Sequence, residues 1–168
     1  ADLGGAQKLF NVVPDMATFG KGMANGYPLS AVVGSNEIMK KVEDIFFSGT
    51  FGGETLSLAA ASKVIDIYQD KKVVEYLMKL GNVLIDGVVK LIKDHQLENI
   101  ISISSFPSWS VLKFRELDSY SSFEVRTFFL QEVLKRGILT LGSHNLSFSH
   151  TQKDINKLLD VYSEVFLL

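Results

Sequence analysis

"FGKGMANGYPLSAVVG", residues 19–34, decides how this chain is read. Lys21 stands between Gly20 and Gly22 at a bend, with strand-like apolar residues before it (Met16–Phe19) and after it (residues 30–34). A long cationic side chain at such a bend has two readings. One is a surface-loop lysine, solvated and inert. The other is a nucleophile, because glycines carry no Cβ and let backbone and ligand approach closely. A lysine in a closed apolar turn is also easier to deprotonate than one in water. Local chemistry permits both.

Outward from this turn, composition sets the frame. The 168 residues suit one ordinary domain by length, and such a chain can bury about 70% of its unfolded surface. Apolar residues make up 46% and charged residues 21%, as in globular proteins. A net charge of −2 with no Lys/Arg block gives no electrostatic reason to expect nucleic acid or an anionic membrane. The absence of cysteine removes disulfides, zinc–thiolate sites and thiol catalysis together, and suits a reducing compartment. No apolar run approaches the roughly 18 residues of a spanning helix and no signal-like start is visible, so the expectation is a soluble, cytoplasmic protein.

Periodicity predicts an α/β chain. A short helix is expected over residues 36–42, then a glycine-containing turn, "IFFSGTFGGET", and an Ala-rich helix from Thr55. A second helix carries Val73, Leu77, Leu80, Leu84, Val88 and Leu91 on one face. "NIISIS" (99–104) and "WSVLKF" (109–114) read as paired strands around Phe106–Pro107. Ser121 and Glu124 open a helix at capping-box spacing, and Gly137 closes it after Lys135 and Arg136. "ILTL" and "NLSFS" read as short strands. Thr151 and Asp154 then open a last helix that buries Ile155, Leu158, Leu159, Tyr162 and Val165. The composition shift near residue 70 divides a glycine-rich first part (1–75) from an α+β second part (76–168). Trp109, Phe123, Phe128 and Phe129 are assigned to the core. His144 and His150 lie six apart with no clustered ligand, which argues against a metal site. His150 is expected to support the last helix start, His95 to end a helix, and Lys135–Arg136 to form a solvated helix end.

"VPDMATFGKGMANGYPLSAVVGSNEIM" (13–39) resembles the segment around the cofactor lysine of fold-type I, class III aminotransferases, in particular the glutamate-1-semialdehyde aminomutase-like subgroup. The matching positions are Pro14, Asp15, Gly20, Lys21, Gly26 and Pro28. The resemblance implies that Lys21 forms the covalent link to pyridoxal 5′-phosphate (PLP). "SGTFGGETLSLAAA" (48–61) resembles the family's Gly-Thr-x-x-Gly segment, which implies that Gly49 and Thr50 contact the cofactor phosphate of the neighbouring subunit in a homodimer. A glycine-rich turn feeding a helix would offer such an anion unpaired N–H groups and the helix dipole. The closing "HTQKDI" (150–155) resembles the family's last helix.

The resemblance covers only the C-terminal part of such an enzyme. Three family features have no counterpart before Lys21: a phosphate-binding glycine loop, an aromatic residue stacked on the ring, and the Asp that pairs with the pyridine nitrogen. The mutases' Phe-Glu-Ala-type segment is also missing from "TLGSHNLSFSHT", which leans toward amino transfer between a donor and a keto or aldehyde acceptor rather than the aminomutase reaction. Two expectations follow: a PLP-dependent aminotransferase as the parent enzyme, and, for this chain alone, either an inactive part of that enzyme or a non-catalytic dimerisation module.

Overall fold

The computed structural model describes residues 2–168 of the chain, which divides into two units, Ala1–Val74 and Glu75–Leu168. The first unit opens with a single helical turn, α1 (Ala6–Leu9), and strand β1 (Met16–Phe19). A 3₁₀ turn at Lys21–Met23 leads to β2 (Ala31–Gly34), which returns antiparallel to β1 with Met16 opposite Gly34 and Phe19 opposite Ala31. The helix expected over 36–42 is one α-turn, α2 (Asn36–Met39), started by the Ser35 hydroxyl accepting from the Ile38 N–H, and it then tightens into a 3₁₀ segment, Lys40–Asp44. The glycine turn feeds α3 (Thr55–Asp70).

Very little of this unit is buried. Only Ala24, Ser57, Ala61 and Val73 are shielded from solvent, whereas Val13 is 95% and Phe46 96% exposed. Met16, Val32, Ile38, Met39, Ile45 and Phe47 line an open apolar groove of about 370 Å³. Burying one large apolar side chain is worth about 1.5–3 kcal/mol, and this unit forgoes that gain at Phe10, Phe46, Phe47 and Leu56.

The second unit contains the core. Helix α4 (Val73–Asp94) enters it, and its stripe of Leu80, Leu84, Val88 and Ile92 is buried. Leu77 and Leu91, assigned to that face by spacing, are only half-buried. Strands β3 (Ile101–Ile103), β4 (Trp109–Phe114) and β5 (Ser143–Asn145) form an antiparallel sheet in that order, with Ile103 opposite Leu112 and Ser110 opposite His144. Helix α5 (Ser122–Lys135) packs on β4 and on α6 (Gln152–Val165). Phe129 is the hub, its ring 5.1 Å from Tyr162, 5.2 Å from Phe114 and 5.9 Å from Phe166.

Both capping signatures act locally. The Glu124 carboxylate accepts from the Ser121 N–H (2.9 Å) and hydroxyl (2.7 Å), and the Asp154 carboxylate accepts from the same groups of Thr151 at 2.8 Å. Each of these carboxyls is held below its ordinary pKa, first by the hydroxyl donor.

Three expectations are corrected. "ILTL" is not a strand, and of "NLSFS" only Asn145 pairs: the strand is Ser143–Asn145, because Gly142 bends the backbone at φ +79° and gives its carbonyl to the Leu112 N–H. Trp109, Phe123 and Phe128 are exposed rather than core; on α5 the face that packs inward carries Phe129 and Val133, and Phe123 and Phe128 lie off it. Arg136 is more than a solvated helix end, since its guanidinium bonds Glu132 at 2.9 Å and Glu164 at 3.0 Å, tying α5 to α6. Those two carboxylates raise its pKa above the usual value.

Gly81 is the closest approach in this unit. A Cβ there would overlap the backbone carbonyl of Pro107, whereas one at Gly87 would meet only the end of the Leu159 side chain. Ala for Gly in mid-helix ordinarily gains about 0.5–1 kcal/mol. At position 81 the expected sign is reversed: Gly81→Ala lowers the stability of the full chain by about 1–3 kcal/mol through overpacking, and by more than Gly87→Ala, as read from urea unfolding followed by near-UV circular dichroism. Equal stability of Gly81→Ala and wild type would show that Pro107 yields freely.

Candidate active site

Lys21 is set by the end of β1. Gly20 is extended, and the chain then turns through Lys21 in the left-handed region (φ +51°), where a residue with a Cβ is rarely found. The Met23 N–H donates to the Gly20 carbonyl at 3.1 Å and the Ala24 N–H to that of Lys21 at 3.4 Å, closing the turn over the buried Ala24. Holding an ordinary residue at such a φ costs on the order of 1–3 kcal/mol, and strain of this kind clusters at functional sites. The lysine is exposed. Among the described residues no acceptor or carboxylate engages its ammonium. Of the two local readings of this bend, the exposure matches the solvated one, and the residues flanking Lys21 are glycines.

Beside the turn lies a cleft of about 230 Å³, walled by Phe19, Gly20, Gly22 and Met23 on one side and by Val64, Ile65 and Tyr68 of α3 on the other. Asp2 also lines it, with its carboxylate accepting the Gly4 N–H at 3.0 Å. Asp15 gives its backbone carbonyl to the Ser35 N–H and stands at the start of β1, four residues before that strand's end.

Gly49 and Thr50 stand in the exposed turn before α3. The physical reason given for an anion site there needs revision. The start of α3 already holds an anion, the Glu54 carboxylate, which accepts from the Leu56 N–H (2.9 Å), the Ser57 N–H (2.6 Å) and the Ser57 hydroxyl (2.5 Å). These bonds hold Glu54 below its ordinary pKa, the Ser57 hydroxyl foremost. Three of the turn's N–H groups are committed: Gly52 donates to the Gly49 carbonyl, and Gly53 and Glu54 to that of Phe51. Among the described residues, the Thr50 hydroxyl and the N–H groups of Gly49, Thr50 and Phe51 have no intrachain partner. Among the described residues, no hydrogen bond joins this turn to the Lys21 turn.

The histidines take structural places. The His150 Nδ1 accepts the Ser147 N–H at 3.0 Å, its carbonyl accepts the Tyr76 hydroxyl at 2.7 Å, and His95 follows the last residue of α4. His144 is buried between Ser110 and Tyr162, an arrangement the sequence reading missed. Its one available signal was a histidine opposite a serine in paired strands. Among the described residues, no three His, Asp or Glu side chains converge to hold a metal, and no helix is long and apolar enough to cross a membrane.

Residues 4–159 match the class III aminotransferase family. The chain is 28% identical over 165 residues to the 3-aminobutyryl-CoA aminotransferase of Cloacimonas acidaminovorans, covering 96% of this chain and 39% of that protein. It is 33% identical over 177 residues to the glutamate-1-semialdehyde 2,1-aminomutase of Thermosipho africanus, covering 98% of this chain and 41% of the relative. Among solved structures, a transaminase with PLP bound superposes with a TM-score of 0.84 at 17% identity, over 96% of this chain and 40% of that one. The chain thus spans about two-fifths of the length of the curated relatives it matches. From the strand that leads into the Lys21 turn to the closing helix, this chain belongs to the class III aminotransferases and carries part of their fold-type I scaffold.

Proposed function

We propose that this chain supplies the cofactor-lysine part of a PLP-dependent enzyme that moves an amino group between a donor and a keto or aldehyde acceptor. Residues 1–75 are read as a remainder of the cofactor-binding large domain, and residues 76–168 as the C-terminal small domain. The observation that carries the reading is Lys21 itself: a free primary amine, held at the end of a strand in a left-handed turn, inside the segment matched by the family. The fit of the cofactor rests on donor chemistry. An aldehyde needs an unengaged amine, which Lys21 offers, and a phosphate needs donors not already satisfied, which the Thr50 hydroxyl and N–H are.

When bound, PLP supplies an electron sink for the carbanion formed at the substrate Cα. The chain's own residues do the rest. Lys21 would hold the cofactor covalently and would move the proton at the substrate Cα as general acid and base. Gly20 and Gly22 keep the approach to its Nζ clear. Thr50 and the backbone of Gly49 hold phosphate in the neighbouring subunit of a homodimer, so each active site draws on two copies. A cytoplasmic setting fits the cysteine-free composition. The aminomutase reaction is the second reading, favoured by relatives that carry that name.

For this chain alone the expected outcome is no turnover. Of the two carboxylates before Lys21, Asp2 accepts the Gly4 N–H and Asp15 precedes β1, and neither lies in a strand as the family's pyridine-pairing Asp does. Mixed with PLP, an amino donor and an acceptor, the 168-residue chain is expected to give no keto product, although borohydride should fix PLP on Lys21, as read by peptide mass spectrometry. Keto product from the chain alone, lost in Lys21→Ala, would place the acidic group within these residues.

In an enzyme that contains this chain and is active, Lys21→Ala is expected to cut amino transfer by at least about 10²–10⁴-fold, the contribution of a general base. A smaller loss would remove Lys21 from the proposed role. Thr50→Ala is expected to weaken PLP retention by about 1.5–3 kcal/mol, the worth of a hydrogen bond to a charged group, as measured by equilibrium dialysis. A protein that sediments as a monomer at every accessible concentration would take away the cross-subunit part of the reading.

A further inference from the structure

The core of the second unit contains one polar thread. Ser110 on β4 and Tyr162 on α6 are fully buried, and His144 on β5 is 6% exposed between them. The Ser110 Oγ lies 2.9 Å from His144 Nδ1, and the Tyr162 hydroxyl 2.8 Å from His144 Nε2. Next along the chain, the Thr140 hydroxyl accepts the Gly142 N–H at 3.0 Å and donates to the Ser143 carbonyl at 3.4 Å. Both partners of the His144 ring are hydroxyls, which can donate or accept, so either neutral tautomer of the ring is satisfied.

We propose that His144 is an acid-operated latch between β5 and α6: a proton on its ring opens the core at this point and loosens the hold of the strand on the helix. The hydrogen bonds themselves can be remade. A doubly protonated ring donates from Nε2 to the Tyr162 oxygen and from Nδ1 to the Ser110 oxygen. The charge is what the core cannot hold. From β4 the ring meets the Ser110 hydroxyl and carbonyl, and from α6 the neutral Tyr162. The cavity of about 320 Å³ beside it is lined by Leu84 of α4 and by His150, Asp154 and Lys157. Asp154, the carboxylate among these, is committed to the Thr151 N–H and hydroxyl. Among the described residues, no other carboxylate lines this cavity.

Burial accordingly holds His144 down at about 4, from an ordinary 6.5. Unfolded or opened chains take up a proton below pH 6.5, while the closed form does not until about pH 4. Stability from this group is therefore complete above pH 6.5 and is lost as pH falls through that window. His144 itself lines this cavity, which gives water a route to the ring.

The test uses the full chain. Amide exchange at Gly142, corrected for the intrinsic pH dependence of exchange, is compared from pH 7 to 4.5 in wild type and His144→Gln. Wild-type protection is expected to fall, by up to about tenfold per pH unit below 6.5, and to stay flat in the variant. Constant wild-type protection, or an equal slope in His144→Gln, overturns the latch. Should the variant lose its near-UV circular dichroism, the wild-type imidazole titration by NMR decides. A midpoint below pH 5 sustains the proposal, and one near 6.5 ends it.

Discussion

Helix α4 can lie against the turn between β3 and β4 only because residue 81 has no side chain, and the core of the second unit depends on that contact. With the helix seated, Leu80, Leu84, Val88 and Ile92 meet Ile101 and Leu112 from the sheet and Ile155, Tyr162 and Val165 from α6 in one cluster. Each fully buried side chain contributes about 1.5–3 kcal/mol before entropy is charged. The cluster's polar members are confined to the Ser110–His144–Tyr162 thread, in which every buried side-chain donor and acceptor has a partner. A slip of β5 by one residue would turn His144 away from Tyr162, so the thread also pins the register of a strand only three residues long.

The first unit obeys a different constraint. Its local structure is determined by turns and caps: Gly20 and Lys21 at the end of β1, Ser35 at the start of α2, Glu54 at the start of α3. Burial adds little, since its phenylalanines at 10, 46, 47 and 51 are more than half exposed. Hydrogen bonds and caps are worth about 1 kcal/mol each. They can shape such a segment without supplying the apolar burial that ordinarily dominates folding.

Legibility in the sequence followed the same division. The caps at Ser121 and Thr151 and the strand "WSVLKF" were readable because their signals are local: a spacing of three, an alternation of two. The β5 strand was not, since Ser143–Asn145 has no apolar alternation and pairs because Gly142 bends the chain against Leu112. Three of the four aromatic residues assigned to the core were misplaced for a related reason. Hydrophobicity says that Phe123 and Phe128 favour burial, but only the packing of α5 on β4 decides which face of the helix obtains it. Lys21 and the Gly49–Thr50 turn were found through family resemblance rather than through periodicity. The structure adds what the resemblance could not: the left-handed φ of the lysine, and a helix start already taken by Glu54.

That last point bears on how an anion could be held before α3. A phosphate brought to the helix axis would face the Glu54 carboxylate, and like charges at short range in a partly desolvated site repel. The Thr50 hydroxyl and N–H lie earlier in the turn and keep their donors free. Glu54 then has a positive role beyond repulsion. It satisfies the first N–H groups of α3 itself, so the turn before the helix need not collapse onto them, and Thr50 remains exposed with its donors unspent. The cap that appears to compete with a phosphate is, on this geometry, what keeps the neighbouring donors available for one.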